Sequence, residues 1–392
     1  MKSTTTQNSL LAAVALAGLL VYVLACSSFS PDDSQIAFPA FDAKTGDFGV
    51  TVLDRKSGRA ETVFSLSIAK RLHAVAYETR LLRAQWIDDQ RLAVFWPGGQ
   101  HDDDALNIVA VTLGGKGPVR YWQIQDLDKM DEKLVNPLAL AGSRLLVPVN
   151  SNLVARLDLD TGRVESRPCR GETMMLYPSG RSDFVFYAAQ SSNKEDQVEF
   201  GKLDAATFAQ TPLLKADASL FDGEGPLALS RDGSQIATAQ KKGGACQIVV
   251  LQPGQTPRIV PLASGDEDLE LGSLCFSPRA DVVFASFASQ PEGATNVSLG
   301  LMEIPLKGNP VERTVLLAGL AQSHKDSARY LQLNSSHDGK TLALCTTYLC
   351  IEPDDAKTAA ANCGLFLIDL AAKPYKISKV ALPVMQPGKE FK

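Results

Sequence analysis

The stretch SPDDSQIAF, Ser30 to Phe38, returns in altered form as SRDGSQIAT at Ser230 to Thr238 and as SHDGKTLAL at Ser336 to Leu344. Four weaker copies share its grammar: WIDDQRLAV from Trp86, ALAGSRLLV from Ala139, PSGRSDFVF from Pro178 and SPRADVVFA from Ser277. The start-to-start interval of roughly 40 to 60 residues suits a four-stranded blade and exceeds most helical solenoid repeats. A repeated unit cannot bury its apolar face alone, so function is expected on an assembled surface rather than at one motif.

Every copy sets a short polar turn, often Asp-Gly or a relative, before an apolar run. Glycine is favoured there because a tight hairpin turn needs positive φ, which glycine adopts without steric cost. A second apolar run follows in each unit: FGVTVLD from Phe48, LNIVAVTL from Leu106, LVARLDLD from Leu153, VEFGKLD from Val198, CQIVVLQ from Cys246, VSLGLMEI from Val297 and LFLIDL from Leu365. Turns such as Lys56-Ser57-Gly58 and Asp160-Thr161-Gly162 close these runs, and a shorter β-prone run comes next. The unit reads as strand, tight turn, strand, variable loop, strand, turn, strand, on run length, β-branched content and turn punctuation. Ser67 to Leu82 is the one place for a helix, with an apolar stripe of Ala69, Leu72, Ala76 and Leu81, and it reads equally as a long inter-blade loop.

On these turn-then-apolar copies the chain resembles the TolB-type and tryptophan–aspartate-repeat-like β-propellers of bacterial proteins. Asp33, Asp89 and Ala280 stand where that family has glycine, and no copy ends in Trp-Asp. The resemblance implies an all-β fold, a single propeller of four-stranded blades around a narrow channel, with ligands or partners meeting the loops of one face. Seven copies predict seven blades, and the spacing also admits six or eight. The propeller is expected over 27–385, after an amino-terminal segment 1–26 and before a polar tail 386–392. A chain of 392 residues with 45% hydrophobic content is consumed by one such domain and requires no second.

Leu10 to Cys26 reads LLAAVALAGLLVYVLAC, a run without charge whose length lies between a secretory h-region and a comfortable membrane span. It is a membrane-targeting sequence with three readings. Val23-Leu24-Ala25-Cys26 resembles a lipoprotein box that would make Cys26 the lipidated first residue; retention would make the run a single-span anchor; cleavage after Ala25 would make it a signal peptide. Each places the propeller on the extracytoplasmic side of a bacterial inner membrane, in the periplasm. With 39 basic against 44 acidic residues and no basic run, the chain offers little to nucleic acid or to anionic lipid head groups.

Six further cysteines, Cys169, Cys246, Cys275, Cys345, Cys350 and Cys363, form an even set compatible with disulfides in an exported protein. Cys350 and Cys363 are the disulfide candidate, because they flank IEPDDAKTAAAN and would face each other across a hairpin of the last blade. Buried thiols acting as small apolar residues are the alternative. No Gly-x-Ser-x-Gly elbow, phosphate loop, dinucleotide glycine pattern or His-Glu-x-x-His occurs, so no catalytic, cofactor-binding or metal residue is assigned. The acidic run His101 to Asp104 reads as a solvated loop, as does Asp266-Glu267-Asp268; Trp86, Trp96 and Trp122 read as packing residues. His73, His101, His324 and His337 fall in four different units. The expectation is a membrane-associated, non-catalytic binding or scaffolding module for a protein or polymer of the cell envelope. The alternative is a propeller enzyme or small-ligand binder with its site at the channel mouth.

Overall fold

The computed structural model describes residues 28–42, 47–65, 83–97, 106–115, 120–124, 139–150, 153–170, 172–179, 181–190, 196–221, 226–242, 245–262, 267–291, 293–308, 310–321, 331–346 and 364–380. They form seven four-stranded antiparallel sheets, the blades of a β-propeller, each built from four consecutive strands. Blade 1 holds β1 (Ser28–Phe29), β2 (Gln35–Asp42), β3 (Asp47–Asp54) and β4 (Ala60–Ser65); blade 2 holds β5 (Arg83–Trp86), β6 (Arg91–Pro97), β7 (Leu106–Thr112) and β8 (Arg120–Ile124). Blade 3 has β9 (Ala139–Ala141), β10 (Arg144–Asn150), β11 (Leu153–Asp158) and β12 (Val164–Pro168); blade 4 has β13 (Glu172–Tyr177), β14 (Phe184–Gln190), β15 (Gln197–Asp204) and β16 (Gln210–Asp217). Blade 5 comprises β17 (Leu227–Leu229), β18 (Ile236–Lys242), β19 (Ala245–Leu251) and β20 (Arg258–Pro261), and blade 6 comprises β21 (Glu267–Phe276), β22 (Val282–Pro291), β23 (Asn296–Pro305) and β24 (Glu312–Ala321). Blade 7 is β25 (Gln332–Ser335), β26 (Thr341–Cys345), β27 (Leu365–Asp369) and β28 (Lys376–Val380).

All seven copies of the sequence repeat fall on the first turn and second strand of a blade, so the seven-blade expectation holds. The run Asp266 to Asp268 is corrected in part: Glu267 and Asp268 open β21 rather than lying in a loop, paired with Pro291 and Gln290. Ser67 to Leu82 lies outside the described residues. The blades divide into two compact units. One contains those within Glu132–Arg329, blades 3 to 6, and the other those within Leu24–Asp131 and Tyr330–Lys392, blades 7, 1 and 2.

Apolar residues alternate along each middle strand, but both sides of the alternation are buried, each against a different neighbouring blade. In β14, Val185, Tyr187 and Ala189 join a cluster with blade 3, while Phe186 and Ala188 join one with blade 5. In β2, Ile36 and Phe38 pack with Ala343, Cys345 and Leu365 of blade 7, and Ala37 packs with Leu92, Val94 and Trp96 of blade 2. Two buried faces require continuous apolar runs, which is why the middle strands lack the apolar/polar alternation of a half-exposed sheet. Burying a large aliphatic or aromatic side chain contributes about 1.5–3 kcal/mol, so these inter-blade faces dominate stability. The fourth strands, on the blade edges, carry the exposed Val164, Ile259 and Val315.

Two glycines permit a close approach inside the sheets. A Cβ on Gly201 of β15 would meet the Tyr187 ring and the Thr211 carbonyl, and one on Gly300 of β23 would meet the Phe287 ring at 2.7 Å and the Thr314 carbonyl. In both blades an aromatic side chain of the second strand lies over the glycine opposite it on the third. Gly300→Ala is therefore expected to lower the unfolding free energy by about 1–3 kcal/mol through overpacking, read as a shift in the urea midpoint, whereas Gly254→Ala, with open space around a position at φ 70°, meets only the backbone strain of that conformation.

Candidate functional surface

The two ends of each blade differ. The first and third turns close one end, and they are short throughout, as at 30–34, 87–90 and 336–340 for the first and 55–59 and 159–163 for the third. The other end carries the second connection and the passage to the next blade. There the spacing varies from 151–152 in blade 3 to 346–364 in blade 7, and 66–82 and 125–138 lead out of blades 1 and 2.

The aspartates at the turn end are engaged by the turns themselves. In the first turns, Asp32, Asp232 and Asp338 accept from the hydroxyls of Ser30, Ser230 and Ser336 at 2.6–2.8 Å and from the backbone N–H groups of Ser34, Ser234 and Lys340 at 3.0 Å. The third turns repeat a second device: Asp54, Asp158 and Asp204 each accept the backbone N–H and the hydroxyl of Ser57, Thr161 and Thr207 at 2.7–2.9 Å. Gly58 and Gly162 then take positive φ, and Phe208 takes the same conformation at 62°, with the Arg156 guanidinium 5.0 Å from its ring centroid.

These donors set the carboxyl ionisation. The Ser30 hydroxyl, then the Ser34 N–H, hold Asp32 below the ordinary carboxylate range; the backbone N–H of Ser57 does the same for Asp54, and that of Thr207 for Asp204. At Asp232 and Asp338 burial works the other way and the hydrogen bonds prevail.

The turns are also latched to one another across blades. Asp33 sits at φ 60°, where the related turns have Gly233 and Gly339. Its carboxylate accepts from the backbone N–H groups of His337 and Asp338 at 2.9 and 2.8 Å and lies 2.7 Å from His337 Nδ1. Arg55 reinforces the same seam, donating to the Asp33 carbonyl and to Thr341 Oγ1, both at 2.7 Å, with its guanidinium 5.4 Å from the Phe29 ring centroid. Asp89 repeats the reach one blade on, accepting the backbone N–H of Asp32 at 3.1 Å. The first turns of blades 7, 1 and 2 thus gather at one end, and two of the three departures from glycine supply the carboxylates that join them. Ala280, the third, keeps the positive φ at 53°, and its carbonyl receives Gln235 Nε2 of blade 5 at 2.9 Å.

Of the sequence candidates, Cys26, Cys350 and Cys363 lie outside the described residues, as do His73, the run His101 to Asp104, and His324. Cys169, Cys246, Cys275 and Cys345 are free thiols. Burial pushes the Cys246 thiol up to about 11 and Cys275 higher, so both behave as small apolar groups. Trp96 is fully buried against Phe64 and Tyr121, and Trp86 donates Nε1 to the Ser28 carbonyl at 2.9 Å, so both are packing residues as expected. His337 has a partner in Asp33 that sequence separation hides. Among the described residues no group of three or more His, Cys, Asp or Glu side chains is placed to hold a metal ion.

No protein-family profile and no curated sequence matches the chain. Solved structures with a similar chain trace include TolB from Acinetobacter baumannii, 16% identical over 71% of this chain and 65% of that one, at a TM-score of 0.40. The β-propeller domain of the trilobed protease from Pyrococcus furiosus, described as having an open velcro topology, is 10% identical over 74% and 83%, at 0.45. Puromycin hydrolase is 11% identical over 96% of this chain and 56% of its own, at 0.44. The chain spans less than two thirds of the length of TolB.

Two outcomes test the latch. Asp33→Ala keeps the strained φ and loses three charge-assisted contacts, so a loss of about 2–4 kcal/mol is expected; Asp33→Gly relieves the strain and should lose about 1 kcal/mol less. Urea unfolding of the two variants beside wild type checks the order. For the turn carboxylates, a folded value below the unfolded one means that their contribution is complete above the ordinary aspartate value of about 3.8 and is lost as pH falls through the lower folded values. The urea midpoint should therefore drop below about pH 4, and less steeply in an Asp32→Asn, Asp54→Asn, Asp204→Asn variant.

Proposed function

We propose that the protein is a membrane-tethered binding or scaffolding module on the extracytoplasmic side of a bacterial inner membrane, recognising a protein or polymer of the cell envelope without chemistry of its own. The observation that carries this reading is the division between the blade ends. At the turn end the carboxylates of Asp32, Asp54, Asp158, Asp204, Asp232 and Asp338 are engaged by donors of their own turns, while the long connections 66–82, 125–138 and 346–364 are at the other end. A scaffold of this kind presents variable segments from a fixed frame, which lowers the ordering cost of binding. The uncharged run Leu10 to Cys26 supplies the tether, by lipidation of Cys26 or by spanning.

The test has two arms. Full-length protein expressed in a bacterial host should sediment with membranes, whereas a form beginning at Ser27 behind a cleavable signal should appear in the soluble periplasmic fraction with unchanged thermal stability. Intact mass with and without Cys26→Ala then separates lipidation, where an acyl-sized increment disappears, from an unprocessed anchor. Photo-crosslinkers at connection-end positions such as Asn150 or Lys242 should capture one envelope component at native expression, and those at turn positions such as Ser57 or Thr161 should not. Full-length protein found only in the soluble fraction would remove the tether, and no capture above background would remove the binding role.

A further inference from the structure

Among the described residues β1 is the shortest strand, two residues, and the first in chain order, whereas every later first strand follows the fourth strand of the blade before it. Ser28 and Phe29 nevertheless touch three blades. Both pair with β2, Ser28 opposite Ala37 and Phe29 opposite Ile36. The Ser28 carbonyl accepts from Trp86 Nε1 of blade 2 at 2.9 Å, and the Ser28 hydroxyl donates to the Ala84 carbonyl of the same blade at 3.4 Å. Phe29 is buried in a cluster with Ile36 and Leu53 of blade 1 and Ala343, Cys345 and Leu365 of blade 7.

The polar latch rests on the same side chain. Arg55, which donates to the Asp33 carbonyl and to Thr341 Oγ1 at 2.7 Å, has its guanidinium 5.4 Å from the Phe29 ring centroid. A strand of two residues is held by few contacts, and a segment held that lightly opens at a free energy below that of the whole domain. Its opening has consequences on two sides. With Phe29 withdrawn, Cys345, 1% exposed, loses a member of the cluster that covers it, and Arg55 loses the ring against which its guanidinium lies. With Ser28 withdrawn, Trp86 Nε1 loses its acceptor, so blade 2 is released as well.

We infer that Ser28–Phe29 is a strap across blades 7, 1 and 2: it opens as one unit while the blades stay folded, and its release uncovers the seam between blades 7 and 1 and loosens the Asp33 and Arg55 latch. The chain ahead of Ser28 enters the fold at this strap, so a pull on that chain is delivered first to the contact between the last blade and the first. The strap is independent of the tether and of the binding role proposed above, since it is built entirely from contacts within the three blades.

The experiment is thiol labelling of the full-length chain under native conditions with N-ethylmaleimide, each cysteine being read separately by peptide mass spectrometry. Cys345 at the end of β26 reports on the strap, and Cys246 in β19 and Cys275 in β21 report on opening elsewhere. In wild type the Cys345 rate should depend little on low urea concentrations, as a small local opening does, and the Cys246 and Cys275 rates steeply. Phe29→Ala should speed Cys345 labelling by about tenfold or more in the absence of urea, and Trp86→Phe, which removes the Nε1 donor and keeps an aromatic ring, severalfold. Cys246 and Cys275 should keep their wild-type rates in both variants. A rise at all three cysteines together means that the whole domain is destabilised and overturns the strap, as does an unchanged Cys345 rate in one or both variants, or a Cys345 rate in wild type as steep in urea as the other two. If Phe29→Ala fails to fold, Phe29→Leu takes its place under the same criteria.

Discussion

Everything in this molecule depends on sheets that are buried on both faces. A blade of four short strands has two apolar sides, and neither can be left to water at about 25 cal/mol per Å². Ile36 and Ala37, or Val185 and Phe186, are neighbours in sequence that serve different blade–blade contacts. No blade therefore has a core of its own. The chain is repetitive because the contact is repetitive, and a repeat can drift in its turn chemistry while the apolar content of its two middle strands is kept.

A shared core of this kind places a burden on the first and last blades, whose mutual contact no continuous chain enforces. Among the described residues each blade is made of consecutive strands, and no strand from one terminus completes the sheet of the other. The contact between blades 7 and 1 instead combines the apolar group of Phe29, Ile36, Phe38, Ala343 and Leu365 with the polar latch of Asp33 and Arg55 on the turn of blade 7. The apolar part supplies most of the free energy but is indifferent to small sliding. The carboxylate on two successive N–H groups is directional and sets the registry. Asp33 meets a conformational requirement that glycine usually meets, and it repays the strain of φ 60° with three contacts that glycine cannot make.

How much of this was legible in the sequence follows from the range of the interactions concerned. Strand order and blade number were readable because each blade is local: a tight turn, an apolar run, a second turn and a second run all fall within one repeat. Asp33 and Asp89 were visible as departures from glycine, but their purpose was not, since Asp33 acts on His337 across nearly the whole chain. The carboxylates of Asp54, Asp158 and Asp204 were visible only as part of their turns, because their work is done on backbone N–H groups that sequence does not display. Glu267 and Asp268 were misread as a loop because charge is a poor guide to strand ends, where side chains reach water whatever the backbone does. Ser28 and Phe29 gave no strand signal at all: a two-residue strand has no periodicity, and only the partners Ala37 and Ile36 define it.

The two ends of the blades consequently evolve under different rules. In the turns that carry Asp32, Asp54, Asp158, Asp204, Asp232 and Asp338, a length change of one residue would displace a carboxylate from its donors. At the opposite end, closing a longer connection costs only about 0.6 kcal/mol for each doubling of its length, so 66–82 and 346–364 can exist beside 151–152 on the same scaffold. Freedom to vary in length is therefore greatest at one end of each blade, and the opposite end is held short by the hydrogen bonds of its own turns.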